Sequence, residues 1–117
     1  MFKKLNIDGR EVEFSANAAT PFRYRQVFHK DLLSILGNEE KAQNEGVEAV
    51  TELAFIMAKQ AEKADMGKLN EDVFFEWLEG FGPMDFVNAS EAIINTYLGT
   101  TGTDSKSKKE VGRPKGK

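Results

Sequence analysis

The pair Asp8-Gly9 stands between two short runs of alternating character, and it constrains the fold more than any other feature of the chain. Phe2, Leu5, Ile7, Val12 and Phe14 are apolar and are separated by Lys, Asn, Arg and Glu. A tight type I′ turn needs two consecutive positive φ angles, and Asp-Gly supplies them at low steric cost. Phe2 to Ile7 and Arg10 to Phe14 are therefore expected to form two antiparallel strands, with Leu5, Ile7, Val12 and Phe14 packed. An isolated hairpin is marginal in water, so this one must pack on helices or pair with another molecule.

After residue 19 the period changes from two to that of a helix. Thr20-Pro21 reads as an N-cap followed by proline at the first helical position. Tyr24, Val27, Phe28, Leu32, Ile35 and Leu36 then recur at helical spacing, which predicts one helix over about 21–36, ended by Gly37 in the left-handed conformation. The polar stretch Asn38 to Gly46 reads as a loop or a frayed first turn. A long helix is expected over 47–64. Val50, Leu53, Ala54, Met57 and Ala61 form its stripe, and Phe55 and Ile56 widen the stripe most of the way round, so this helix should be central. Asn70 is the N-cap expected for a short helix over 71–80, carrying Val73, Phe74, Trp77, Leu78 and Phe81. A last helix is expected over 84–98, with Phe86, Val87, Ile93, Ile94, Tyr97 and Leu98 inward and Gly99 closing it.

The 117 residues suit one domain, and charge divides them in two. Residues 1–99 hold ten basic and seventeen acidic side chains, a balance of −7. Residues 100–117 carry Lys106, Lys108, Lys109, Arg113, Lys115 and Lys117 against Asp104 and Glu110, a balance of +4, with Val111 their one large apolar residue. Such a segment cannot bury enough surface to offset its ordering entropy. The expected architecture is thus a mainly helical α+β domain over 1–99, a hairpin followed by about four helices, with a disordered basic tail over 100–117.

The chemistry available is sparse. No cysteine is present, which excludes disulfides, thiolate metal sites and cysteine nucleophiles. His29 is the single histidine, with no nucleophile or orienting carboxylate marked out for it, and it reads as a surface residue. Glu45, Glu48 and Glu52 fall at i, i+3, i+7 and read as the solvated face of the long helix. No calcium or phosphate loop occurs. No catalytic, cofactor-binding or metal-binding residue is expected. No run approaches the roughly 20 apolar residues of a membrane span, and the N-terminus lacks the apolar core of a signal peptide. Phe75 and Phe22 lie off their helical stripes, the pattern of a protein-binding patch or of a helix buried on two sides. Gly112-Arg113-Pro114-Lys115 matches the core of a minor-groove DNA hook, although Glu110 and Val111 occupy the flank where basic residues are usual.

Several segments in succession carry a resemblance. Met1-Phe2-Lys3-Lys4-Leu5-Asn6-Ile7-Asp8-Gly9-Arg10-Glu11-Val12 is followed by Thr20-Pro21-Phe22-Arg23-Tyr24-Arg25 and His29-Lys30-Asp31-Leu32-Leu33. Leu53-Ala54-Phe55-Ile56-Met57-Ala58-Lys59-Gln60-Ala61 and Phe75-Glu76-Trp77-Leu78-Glu79-Gly80-Phe81 come next, before a Lys-rich ending. The chain resembles the small tail assembly chaperones of long-tailed, siphovirus-type phages and prophages of Gram-positive bacteria. The resemblance implies a non-enzymatic protein of the host cytoplasm, absent from the mature virion. It implies binding of the tape measure protein, which is kept soluble, and help in recruiting tail-tube subunits through a frameshift-extended product. Self-association is implied as well, for which the free edge of the hairpin is one candidate. Candidate protein contacts are Phe22, Arg23, Arg25, Phe55, Phe75 and Trp77. The alternatives are a small DNA-binding or regulatory protein, contacting DNA through Arg113, Pro114 and Lys115, and a generic adaptor domain. Neither membrane nor nucleic acid is an expected partner under the first reading.

Overall fold

A computed structural model describes residues 2–99, with the backbone alone at Phe2. The element order is β1 (Phe2–Ile7), β2 (Arg10–Ser15), α1 (Thr20–Phe28), α2 (Leu32–Leu36), α3 (Glu39–Ala61), α4 (Glu71–Leu78) and α5 (Asp85–Leu98), with a 3₁₀ turn at Met66–Lys68. This is a mainly helical α+β fold, an N-terminal hairpin followed by helices, as the sequence predicts. The expected disordered tail over 100–117 lies outside the described residues.

The hairpin turns where Asp8-Gly9 requires. Asp8 has φ 52° and Gly9 φ 83°, and the Gly9 N–H donates to Asn6 Oδ1 at 2.7 Å. The register pairs Leu5 with Val12 and Lys3 with Phe14, which puts Leu5, Ile7, Val12 and Phe14 on one face. Ile7, Val12 and Phe14 are buried and Leu5 is half-buried. The opposite face pairs Lys4 with Glu13 and Asn6 with Glu11, all exposed. β2 packs on α3 and β1 on α5, so helices cover the apolar face.

The predicted first helix is two helices. His29 takes the left-handed conformation (φ 59°), and its N–H donates to Arg25 O at 2.8 Å, ending α1. Asp31 then starts α2, its Oδ1 accepting from the N–H groups of Leu33 (3.1 Å) and Ser34 (3.3 Å). The apolar spacing continues across the break because both short helices pack on α3. Gly37 does not close this segment in the left-handed region, since its φ is −86°. Nor is Thr20 the N-cap. Ala19 holds that position, while Thr20 is fully buried with its Oγ1 accepting from Asn17 N–H at 3.0 Å.

Within the polar stretch Asn38 to Gly46, the residues from Glu39 onward are helical and form the first two turns of α3. Asn38 caps it, its Oδ1 accepting from Lys41 N–H at 3.0 Å, and Glu39 and Glu40 sit against the positive end of the helix. α3 ends at Ala61 rather than Ala64. Lys63 has φ 59°, Ala64 N–H donates to Lys59 O and Lys63 N–H to Gln60 O, which is the Schellman arrangement with lysine in place of glycine. From Ala49 to Ala58 every residue of α3 except half-buried Thr51 is buried, so the helix is central, as expected.

α4 begins at Asn70, as predicted, with Asn70 Oδ1 accepting from Val73 N–H at 3.0 Å, and it stops at Leu78 rather than residue 80. Arg10 packs against the end so formed. Its guanidinium donates to Gly80 O at 2.9 Å and lies 4.5 Å from the centroid of the Phe81 ring, fastening the hairpin to the end of α4. α5 runs to Leu98 and closes at Gly99 with φ 71°, again as predicted. Its buried side chains are Phe86, Ile93 and Thr96; Val87 and Leu98, expected inward, are exposed. They fall off the i, i+3, i+7 row that Phe86, Ala89 and Ile93 define.

Left-handed geometry at His29 carries a testable cost, since side chains with a Cβ are disfavoured there by about 1–2 kcal/mol. His29 is exposed, so backbone preference alone should set the outcome. The urea midpoint should rise for His29→Gly and fall for His29→Val. A lower midpoint for His29→Gly than for the wild type would contradict the assigned break between α1 and α2.

Candidate functional site

The apolar interior is organised by rings. Phe28, on α1, meets Phe74 of α4 at 5.1 Å and Phe55 of α3 at 6.2 Å, both edge-to-face. Phe55 in turn contacts Phe74 at 5.3 Å and Trp77 at 5.6 Å. Trp77 touches Phe81 and Phe86 at 4.9 and 5.4 Å. The rings of α4 therefore bind it to the body, and edge-to-face pairs add about 0.5–1.5 kcal/mol each beyond the area they bury.

Where α4 turns into α5, this layer reaches the surface as a groove. Val47 and Thr51 of α3 form one wall, and Leu78, Phe81, Gly82, Pro83, Phe86 and Val87 form the rest, around a volume of about 400 Å³. Val47 and Val87 remain 46% and 44% exposed, and Met84 beside them is 56% exposed. The Gly82 N–H donates to Asp85 Oδ2 at 2.7 Å, which fixes the turn into α5, and the carboxylate lines a separate depression with Asn6, Ile7 and Asp8.

Two other apolar surfaces stand open. On α1, Phe22 is 71% exposed and shares a shallow depression with Ala19, Arg23, Arg25 and Gln26. Near the end of α5, Leu33 and Leu98 flank a depression with Ala16, Pro21 and Tyr97.

The candidate contacts thus separate. Phe22, Arg23 and Arg25 are brought together on one side of α1, where Arg25 also pairs with Asp31 at 3.4 Å. Phe75 is exposed on α4. Trp77 is half-buried within the ring layer. Phe55 is fully buried and cannot touch a partner while the domain is folded, which corrects its place among the candidate contacts and agrees with the widened stripe that makes α3 central. Arg113, Pro114 and Lys115 lie outside the described residues. Sequence reasoning missed the groove. Val87 counts toward the inward stripe expected for the last helix and Val47 toward the first turn expected for the long one, so no signal in the sequence marks either as exposed.

One charged group is inside. Glu52, expected on the solvated face of α3, is 3% exposed, a correction that its partners explain. Tyr24 Oη donates to Glu52 Oε1 at 2.7 Å, and Lys30 Nζ lies 3.2 Å from Glu52 Oε2 and 3.7 Å from Glu48 Oε1. Burial raises the Glu52 carboxyl above its ordinary value near 4.5, and the hydrogen bonds from Tyr24 and Lys30 only partly offset it. Burial likewise raises the Tyr24 phenol, with the Glu52 hydrogen bond and charge adding to it. Burial would lower Lys30, but the hydrogen bond and charge of Glu52 outweigh this and raise it. The cluster joins α1, its C-terminal side and α3, and every member is spoken for by another.

Among the described residues no group of three or more His, Asp or Glu could hold a metal ion, and no helix is long and apolar enough to cross a membrane. No family model matches the chain, and neither a curated protein nor a solved structure matches it.

The sign of the Glu52 effect is checkable. Its folded pKa is raised, so this group favours the fold most below its ordinary value and the contribution is lost as pH rises through the folded pKa. Glu52→Gln keeps an acceptor for Tyr24 and removes the titration. The stability of Glu52→Gln relative to wild type, from urea unfolding, should increase between pH 4 and pH 8; a flat or falling difference would refute the assignment.

Proposed function

We propose that the chain is a non-enzymatic tail assembly chaperone that binds the tape measure protein, keeps it soluble during tail morphogenesis and helps recruit tail-tube subunits. The observation that carries this reading is the grouping of exposed apolar side chains into open depressions on a body of net charge −7. An elongated helical client presents an apolar stripe, and a groove on a well-charged small domain covers such a stripe while keeping the complex dissolved. The succession of segments resembling tail assembly chaperones points the same way. The acts required of such a protein are binding and release. They need shape, apolar area and charge, and no group with a nucleophile or general base.

Co-expression tests the reading. The tape measure protein of the same phage or prophage should be insoluble alone and should co-purify in the soluble fraction with this chain. Equal solubility with and without the chain would overturn the reading.

A further inference from the structure

We infer that the groove between α3 and the α4–α5 turn is a docking site for a helical segment that presents an apolar stripe flanked by lysine or arginine. The groove is mainly apolar, with Val47, Leu78, Phe81, Pro83, Phe86 and Val87 lining it beside Thr51 and Gly82, and both valines are partly open to solvent. Its volume of about 400 Å³ suits a few large side chains set along one face of a helix.

Charge decides the occupant. From Leu69 to Gly99 the chain carries Glu71, Asp72, Glu76, Glu79, Asp85 and Glu91 and no lysine or arginine at all. Arg10, whose guanidinium donates to Gly80 O and lies over the Phe81 ring, brings one positive charge to this half and leaves the six acids in excess. Asp85 accepts from Gly82 N–H but lines a separate depression beside Asn6, Ile7 and Asp8, so its charge acts from beyond the turn. An occupant with acidic flanks would meet like charge on α4 and α5, whereas a basic one is steered in and held in register. The α1 depression has the opposite balance, since Phe22 there stands between Arg23 and Arg25. The basic segment 100–117 shares the favourable charge but lacks an apolar stripe, with Val111 its single large apolar residue, so it cannot fill the groove.

This inference rests on the chaperone reading for its biological client, but its test does not. The probes are two synthetic amphipathic peptides of about 18 residues, roughly 27 Å as helices, one with a leucine stripe and lysine flanks, the other with the same stripe and glutamate flanks. Each is titrated by fluorescence anisotropy into the full chain. The lysine peptide should bind and the glutamate peptide should not. Val87→Arg and Val47→Arg, at positions open enough to accept the change, should weaken the lysine peptide about tenfold or more, because a charge would be buried unpaired. Glu13→Gln, which shifts net charge by the same amount on the far face of the hairpin, should leave it unchanged. Equal weakening by Glu13→Gln, loss on Phe22→Ser instead of Val87→Arg, or equal binding of both peptides would overturn the proposal. So would a gain in binding when Lys106, Lys108, Lys109 and Arg113 are all changed to Gln, which would make the tail the occupant. Conversion of an oligomer to a monomer by Val87→Arg would make the occupant a second copy and would overturn the proposal equally. In co-expression, a Val87→Arg chain that still solubilises the tape measure protein sinks the groove but leaves the chaperone reading standing. A wild-type chain that fails to solubilise it sinks the latter alone.

Discussion

Helix α3 is surrounded. Between Ala49 and Ala58 it gives almost no surface to water, and the hairpin, α1, α2, α4 and α5 all pack on it. A small domain that buries most of one long helix has to cover it with short, separately anchored pieces. The breaks at His29 and at Gly80–Gly82 are where the chain turns to do so, each held by a specific bond: the Asp31 cap, the Arg10–Gly80 contact and the Asp85–Gly82 contact. The same constraint traps Glu52. A carboxylate inside is costly unless its partners arrive with it. Tyr24 and Lys30 come from the first covering helix and the segment just beyond it, so the cluster also records how α1 must sit on α3.

Surface follows from this arrangement. α4 is only eight residues long and is joined to the body mainly through rings, with Phe74 and Trp77 set on Phe28, Phe55 and Phe86. Such a short helix cannot roof the whole of α3, and the uncovered strip beside Val47 and Thr51 becomes the groove. The apolar patch is a geometric consequence of covering a long central helix with short ones. The second half of the chain, which supplies one wall of that strip, carries six acidic side chains and no lysine or arginine between Leu69 and Gly99.

Local signals explain what could be read in advance. The Asp8-Gly9 turn, the Asn70 cap and the Gly99 closure are each decided by one or two residues and their φ angles, and all three are found where the sequence puts them. Misread features depend on tertiary context. Apolar spacing runs straight through His29 because two helices share a partner, so periodicity alone could not show the break. Asn38 is a customary cap, but the turns after it are polar and show no apolar stripe, while Lys63 ends the helix without the usual glycine. Glu52 sits at solvent-face spacing beside Glu45 and Glu48, and only the placement of Tyr24 and Lys30 makes its burial tolerable. Among the candidate contacts, Phe22 and Phe75 are exposed where off-stripe aromatics would put them, while Phe55 is consumed by the core.

Amide hydrogen exchange of the chain with and without a tape measure protein tests the proposed binding, and its place, without any substitution. A client seated in the groove should slow exchange over residues 78–88 and around Val47 to Thr51, with the strands of the hairpin unchanged. Protection confined to the hairpin or to α1 and α2, with the α4–α5 turn unaltered, would contradict a groove-bound client.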